Sequence, residues 1–240
     1  MRYGIISDVH SNYEALTSVL RFLAEQSIDK YLCLGDIVGY CAEPHRCIEE
    51  ARKLNCDFVA GNHDFAAVEK LSIDYFNIFA KESTIWTQEN IEQSDRDFLS
   101  SQPLVLDYGE FTIVHGSLYM PEAFGYVQTI IDALYSFREL KNSILFIGHS
   151  HVPITFVEHA SISFSVEDTI RIEPEKRYII NVGSTGQPRD EDPRACCAIY
   201  DTDAKIVRIC RNEYDIYGAA EKITKAGLPV INAERLKIGR

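Results

Sequence analysis

Five short apolar runs in this chain each end in residues able to ligate a metal ion. Gly4-Ile5-Ile6 leads into Ser7-Asp8-Val9-His10, and Leu32-Cys33-Leu34 into Gly35-Asp36. Phe58-Val59-Ala60 leads into Gly61-Asn62-His63-Asp64, and Phe111-Thr112-Ile113-Val114 into His115-Gly116. Leu145-Phe146-Ile147 leads into Gly148-His149-Ser150-His151. Short apolar runs bounded by glycine and polar residues read as buried strands. Ligands of open α/β sheets bind in the crevice beyond the strand carboxyl ends. Lining up these strands brings eight candidate ligands to one edge, Asp8, Asp36, Asn62 and five His. Of the seven histidines only His45 and His159 lie elsewhere, so the clustering is not the scatter of ordinary core and surface histidines.

The intervening sequence supplies helices. Ser11–Glu25 carries Leu16, Val19, Leu20 and Leu23 at helical spacing, with Ser11 or Asn12 as its cap. Helices are also expected over Pro44–Leu54, through Tyr75, Ile78, Phe79 and Glu82–Trp86, and over Thr129–Leu140. Strands are expected at Tyr3–Ile6, Tyr31–Leu34, Phe58–Ala60 and Ile144–Ile147, with a hairpin of Leu104–Leu106 and Phe111–Val114. The last third turns β-rich, with strands at Ile154–Val157, Ile162–Val166, Thr169–Ile172, Tyr178–Asn181, Cys196–Tyr200 and Lys205–Cys210. Tyr214–Ala226 reads as a terminal helix. The expected fold is α/β, with two packed mixed β-sheets flanked by helices. No linker, low-complexity tract or repeat divides the chain, so residues 1–240 are read as one domain.

Charge narrows the partners. Lys and Arg number 24 against 36 Asp and Glu, a net charge of −12. Such a surface disfavours a nucleic acid backbone and an anionic membrane. It does not exclude an anionic substrate, because bound divalent ions reverse the local field. No apolar run approaches the length of a membrane span, and the N-terminus lacks the pattern of a signal peptide. The seven cysteines show no C-x-x-C spacing, and a reducing cytoplasm is the expected location.

The donor set of His, Asp and Asn without Cys suits Mn, Fe or Zn rather than a structural thiolate site. Eight residues exceed the needs of one ion. A metal pair with one bridging carboxylate fits them, and such a pair clamps an in-line phosphoryl displacement. Gly35, Gly61, Gly116 and Gly148 permit tight turns and close backbone approach at the strand ends.

The blocks D-x-H, G-D, G-N-H-D, H and G-H-x-H occur in this order from Asp8 to His151. In this the chain resembles the calcineurin-like metallophosphoesterases, specifically a small bacterial and archaeal branch. The resemblance implies an αββα sandwich and two metal ions, with Mn or Fe favoured. Asp8, His10 and His151 would hold one, Asn62, His115 and His149 the other, and Asp36 would bridge them. His63 would protonate the leaving oxygen or donate a hydrogen bond to the transition state, and Asp64 would orient that loop or serve as a first-turn helix carboxylate. The resemblance also implies attack by a metal-bridging hydroxide.

The chain departs from the phosphoprotein phosphatases of that family. They carry an Arg shortly after G-D, where this chain has Gly39 and Tyr40. Arg189, in Gly183-Ser184-Thr185-Gly186-Gln187-Pro188-Arg189, is a candidate replacement for holding phosphate; otherwise it pairs with Asp190, Glu191 or Asp192. Tyr40 is a second candidate substrate contact. Tyr119, Met120, Phe124 and Tyr126 either stack on a substrate ring or pack their loop onto the body. Cys41, beside the G-D block, reads as a packing residue.

The expected activity is that of a phosphodiesterase on small phosphate esters or nucleotides. The alternatives are an asymmetrical dinucleoside polyphosphate hydrolase, a phosphomonoesterase, and a protein-binding scaffold such as the retromer subunit that shares this fold. The scaffold reading goes with eroded metal blocks, and here all are intact. A recombination-repair nuclease is disfavoured by the acidic surface and by the lack of room for capping and coiled-coil regions.

Overall fold

The computed structural model describes residues 1–54 and 56–240. In chain order the first half holds β1 (Arg2–Ile6), α1 (Tyr13–Ala24), β2 (Lys30–Cys33), α2 (Pro44–Lys53), β3 (Asp57–Phe58), α3 (Asn62–Ala67), α4 (Ile78–Asn90) and α5 (Gln93–Ser100). There follow β4 (Val105–Asp107), β5 (Phe111–Val114), a 3-10 turn at Pro121–Ala123, α6 (Ile130–Glu139) and β6 (Ile144–Ile147). The last third holds β7 (Ile154–Glu158), β8 (Ile162–Ser165), β9 (Thr169–Arg171), β10 (Arg177–Asn181), β11 (Ala195–Asp201), β12 (Ile206–Asn212), α7 (Ile216–Lys225) and α8 (Val230–Ile238).

The strands form two six-stranded mixed sheets, ordered β3-β2-β1-β11-β12-β9 and β4-β5-β6-β10-β7-β8. β1, β2 and β3 run parallel, as do β5, β6 and β10. All five metal-type blocks follow strands of these two parallel sets, which explains why they share an edge. Alternation along the strands builds three apolar layers. Ile5, Leu32, Phe111, Phe146 and Cys196 face the space between the sheets. Their neighbours Ile6, Cys33 and Cys197 face outward under α1 and α2, and Leu145 faces outward under α6. Phe111 pins the central layer, edge-on to Tyr3 at 5.0 Å and to Phe146 at 5.6 Å. This is the expected sandwich.

Several element boundaries differ from the sequence expectation. Tyr75 lies outside α4, which begins after Asn77; the Asn77 side chain accepts from the amides of Phe79 and Ala80. β3 stops at Phe58, although the Val59 amide still donates to Cys33 O. α3 and α5 are additional helices, of six and eight residues, too short to show an apolar repeat. The helix read as terminal is followed by α8, which packs on it through Leu236 and Ala233. Its signals were Pro229 just before it and Gly239, at φ 64°, just after.

α5 is tied to α2 by a titrating contact. His45 Nδ1 lies 2.9 Å from the buried carboxylate of Asp95, which also caps α5 by accepting from the Glu92 amide. The bond to Asp95 raises the His45 imidazole above its ordinary value. Its contribution to stability is complete below the unfolded value of about 6.5 and disappears as pH rises through the higher folded value. His45 is partly exposed, so the contribution is expected to be about 0.5 kcal/mol or less. Urea unfolding should separate wild type from His45→Ala more at about pH 5.5 than at about pH 9. An equal gap at both would show that the imidazole charge does not matter.

Candidate metal centre

The sheet edge brings Asp8, His10, Asp36, Asn62, His63, Asp64, His115, His149 and His151 together. All are buried, none more than 8% exposed. The β1 and β2 loops are zipped by backbone bonds: Asp8 N to Gly35 O at 3.0 Å, His10 N to Asp36 O at 2.9 Å, and Ser11 N to Ile37 O at 2.9 Å. The segment after β10 closes over the same loop. The Thr185 amide donates to Ser7 O, the Gly186 amide to Asp8 O, and the Ser184 hydroxyl also to Asp8 O at 2.8 Å.

Three backbone carbonyls set the histidine tautomers. His10 Nδ1 is 3.0 Å from Val38 O, His115 Nδ1 is 2.8 Å from Leu34 O, and His151 Nδ1 is 2.5 Å from Gln187 O. A carbonyl only accepts, so each Nδ1 carries a proton, and in the neutral ring each Nε2 presents a lone pair. These lone pairs face other acceptors. His10 Nε2 and His151 Nε2 are 3.1 Å apart, and Asp8 Oδ1 is 3.3 Å from His151 Nε2. His115 Nε2 is 3.1 Å from Asn62 Oδ1, 3.1 Å from His149 Nδ1 and 3.2 Å from Asp36 Oδ2. Asp36 Oδ2 also reaches His10 Nε2 at 3.7 Å and so lies between the two sets.

Acceptors this close repel unless a cation lies among them. The donor set fits two first-row metal ions, one among Asp8, His10 and His151, the other among Asn62, His115 and His149, with Asp36 common to both. The electrostatics agree. Burial alone would raise the Asp8 carboxyl, but His151 and His115 hold it below the usual range. Asp36 behaves the same way, with His115 and His63 overcoming burial. Burial alone would lower His115; Asp36 and Asp8 overcome it and raise the imidazole to about 9. A divalent ion competes with that proton for the same acceptors.

The geometry is held against backbone strain. Asp8, His10, Asp36, His149 and His151 have φ between 50° and 67°, in the left-handed region that side chains disfavour. The close packing also needs a residue without Cβ at Gly148. A Cβ there would lie 1.9 Å from Ser7 Oγ and 2.4 Å from Asp8 Oδ2.

Asp64 fills both roles open to it. It is in the first turn of α3 and accepts from the Gly61 amide at 2.9 Å. It also accepts from the amides of Asp36 at 2.7 Å and Ile37 at 2.9 Å, fixing the loop that carries Asp36. Burial and the neighbouring Asp36 push its carboxyl up to about 7 against those donors. His63 donates its amide to Asp36 Oδ1 at 2.8 Å, while its buried Nδ1 has no partner among the described residues. Its ring lies among His10, Tyr40 and Phe76 at 4.7–5.0 Å, and a ring nitrogen falls within 4.8 Å of ligand atoms of His10 and Asp36.

Arg189 reaches this edge and leaves its acidic neighbours to others. Asp190 pairs with Arg211, Glu191 with Arg240, and Asp192 with Arg194. The Arg189 guanidinium lies 5.6 Å over the Tyr40 ring and donates to Gln187 Oε1 at 2.8 Å. Its Nε is buried without a partner among the described residues. Of the loop aromatics, Tyr126 stacks face to face on His149 at 4.0 Å and Phe124 meets His115 edge-on at 6.1 Å. Tyr119 instead packs on Tyr135. Cys41 is buried, and burial raises its thiol far from reactivity. Sequence reasoning missed Ser184, the Gln187 carbonyl and Phe76; the Gly183–Arg189 turn was the visible signal for the first two, and Phe76 had none.

Known proteins share this sequence pattern and fold. A family profile described as a calcineurin-like phosphoesterase superfamily domain matches residues 1–205. A protein of Methanocaldococcus jannaschii is 39% identical over 242 residues, covering 99% of this chain and 98% of that one. The crystal structure of a metallophosphoesterase from Sphaerobacter thermophilus has a TM-score of 0.88 at 36% identity, covering 100% of this chain and 99% of that one. The crystal structure of a hypothetical protein from Pyrococcus horikoshii OT3 shares the fold, with a TM-score of 0.81 at 21% identity over 100% and 98% of the two chains.

Proposed function

Because the chain belongs to the calcineurin-like phosphoesterase superfamily, we propose that it is a dinuclear metal-dependent phosphodiesterase acting on small phosphate esters, nucleotides among them. The observation that carries this is the pair of converging acceptor sets with Asp36 between them. Mn or Fe suits these nitrogen and oxygen donors, and Zn is also compatible. Bound there, the metals supply charge for the phosphoryl oxygens and lower the pKa of water.

The protein's own groups do the rest. The Val38, Leu34 and Gln187 carbonyls keep each Nε2 lone pair aimed inward. Asp64 holds the Asp36 loop, and the Arg189 guanidinium beside Tyr40 is the cation for a phosphate oxygen. His63 is left as donor to the leaving oxygen, because both acceptor sets are complete without it. Among the described residues no helix is long and apolar enough to cross a membrane. All seven cysteines are free, which suits a reducing cytoplasm.

The test is hydrolysis of bis-p-nitrophenyl phosphate and p-nitrophenyl phosphate, with Mn²⁺ or chelator, together with metal analysis of the protein. Expected are two metal equivalents, chelator-sensitive turnover that favours the diester, and loss of that turnover in Asn62→Ala. Faster monoester turnover would make the protein a phosphatase. Absence of both metal and turnover would leave only a scaffold.

A further inference from the structure

Beside the metal edge opens a cavity of about 340 Å³. Asn62, His63 and His149 form its inner wall, and the aromatic residues Tyr40, Phe76 and Tyr126 line it further out. Its lining contains no Asp, Glu, Lys or Arg side chain. Three of its rings are already fixed by contacts with site residues: Tyr40 and Phe76 against His63 at 4.7 and 5.0 Å, and Tyr126 flat on His149. At the rim Tyr75 is 98% exposed, a large ring without a packing role. Besides the tyrosine hydroxyls, the cavity's polar groups further out are the Ser72 hydroxyl, which already donates to Asp74 Oδ2 at 2.8 Å, and the Asn77 amide. Asn77 uses its oxygen to cap α4, so its amide nitrogen is left to donate.

From this we infer that the cavity binds a flat aromatic ring carried on the phosphate ester, so that the substrate is an aryl or nucleoside phosphodiester. The inference rests on the phosphodiesterase reading above and adds the substrate class. An uncharged, ring-walled cavity next to an anion site sorts the two ends of such a molecule. The phosphate lies at the metals and Arg189, and the neutral ring stacks on π faces that tolerate many rings. A second phosphate or a charged sugar acid would find no counter-charge there. The size falls within the range of small-ligand pockets. The Asn77 amide nitrogen and the tyrosine hydroxyls favour a heterocycle over a plain benzene ring.

Binding separates this inference from the activity on which it rests. Methyl phosphate, phenyl phosphate and nucleoside 5′-monophosphates should be titrated into the Mn²⁺-loaded protein by calorimetry. Ring-bearing phosphates are expected to bind on the order of tenfold or more tightly than methyl phosphate, as one base stacked on an aromatic gives. Phe76→Ala should bring that ratio close to one. Phe76→Leu, which keeps apolar volume but removes the π face and guards against misfolding, should lower it as well. Nucleotides above phenyl phosphate would identify a base subsite, and equality of the two would identify a general aryl subsite; both support the inference. A ratio near one in the wild type would overturn it while leaving the metal reading intact. Failure of methyl phosphate and ring-bearing phosphates alike to bind would overturn both.

Discussion

His63→Ala is expected to keep two metal equivalents and lose most turnover of a diester with a poor, alkoxide leaving group, by about 10²–10⁴-fold. The split between metal and rate follows from geometry. Each acceptor set has its own nitrogen and oxygen donors without His63, whereas the His63 ring lines the cavity in which the proposed ester would lie. Its Nδ1 is buried and unpartnered among the described residues, a cost that a native structure tolerates where a ligand completes the bond. Burial lowers the imidazole to about 4 against the pull of Asp36, and Arg189 pushes the same way. A neutral ring still has one N–H to donate to oxygen as charge develops on it.

The leaving group discriminates between roles. p-Nitrophenolate is stable as an anion and needs little help, so His63→Ala should cost much less on p-nitrophenyl diesters than on alkyl ones. Equal losses on both would mean that His63 acts on the phosphoryl group and not on the leaving oxygen. Loss of a metal equivalent would make it a ligand, an arrangement its position near His10 and Asp36 would permit.

The legible parts of this molecule were local in the chain. Four-residue runs such as Phe111–Val114 and Ile144–Ile147 bury both faces, so they read as continuous apolar segments and their ends fall where the polar blocks begin. The ligand-type residues were legible for the same reason, since each follows its strand directly. The illegible parts depend on contacts across the fold. The left-handed φ of Asp8 or His151 is imposed by loops zipped to one another, and neither residue type announces it. Gln187 enters the centre through its carbonyl, which every residue has. Phe76 reaches His63 only because α4 and α3 pack together. Arg189 could be read two ways because three acidic residues follow it; in the fold Arg211, Arg240 and Arg194 take them. α5 has only Phe98 and Leu99 as apolar residues, too few for a periodic signal.

Gly186→Ala carries the largest expected structural effect. An ideal Cβ at Gly186 would lie 1.7 Å from the Val9 carbonyl oxygen and 2.5 Å from its carbon. These are backbone atoms, so no rotamer change relieves the overlap, and one of the two loops must move. Neither is free to move. The Gly186 amide donates to Asp8 O at 2.9 Å, and Asn12 Nδ2 donates to Gly186 O at 2.8 Å. Separating them pulls at Asp8 and His10 from one side and at the Gln187 carbonyl that orients His151 from the other. The expected cost is about 3 kcal/mol or more, a fall in melting temperature on the order of 10 °C for a chain of this length. The Asp8–His10–His151 site should lose its metal, so the protein would bind one equivalent instead of two. Gly125→Ala is the control, because its Cβ would meet Ser117 Cβ at an ordinary 3.5 Å. If Gly186→Ala melted with the wild type and kept both metals, the post-β10 segment would have no part in holding the centre. The three carbonyls that fix the histidine tautomers would then be reduced to those of Val38 and Leu34.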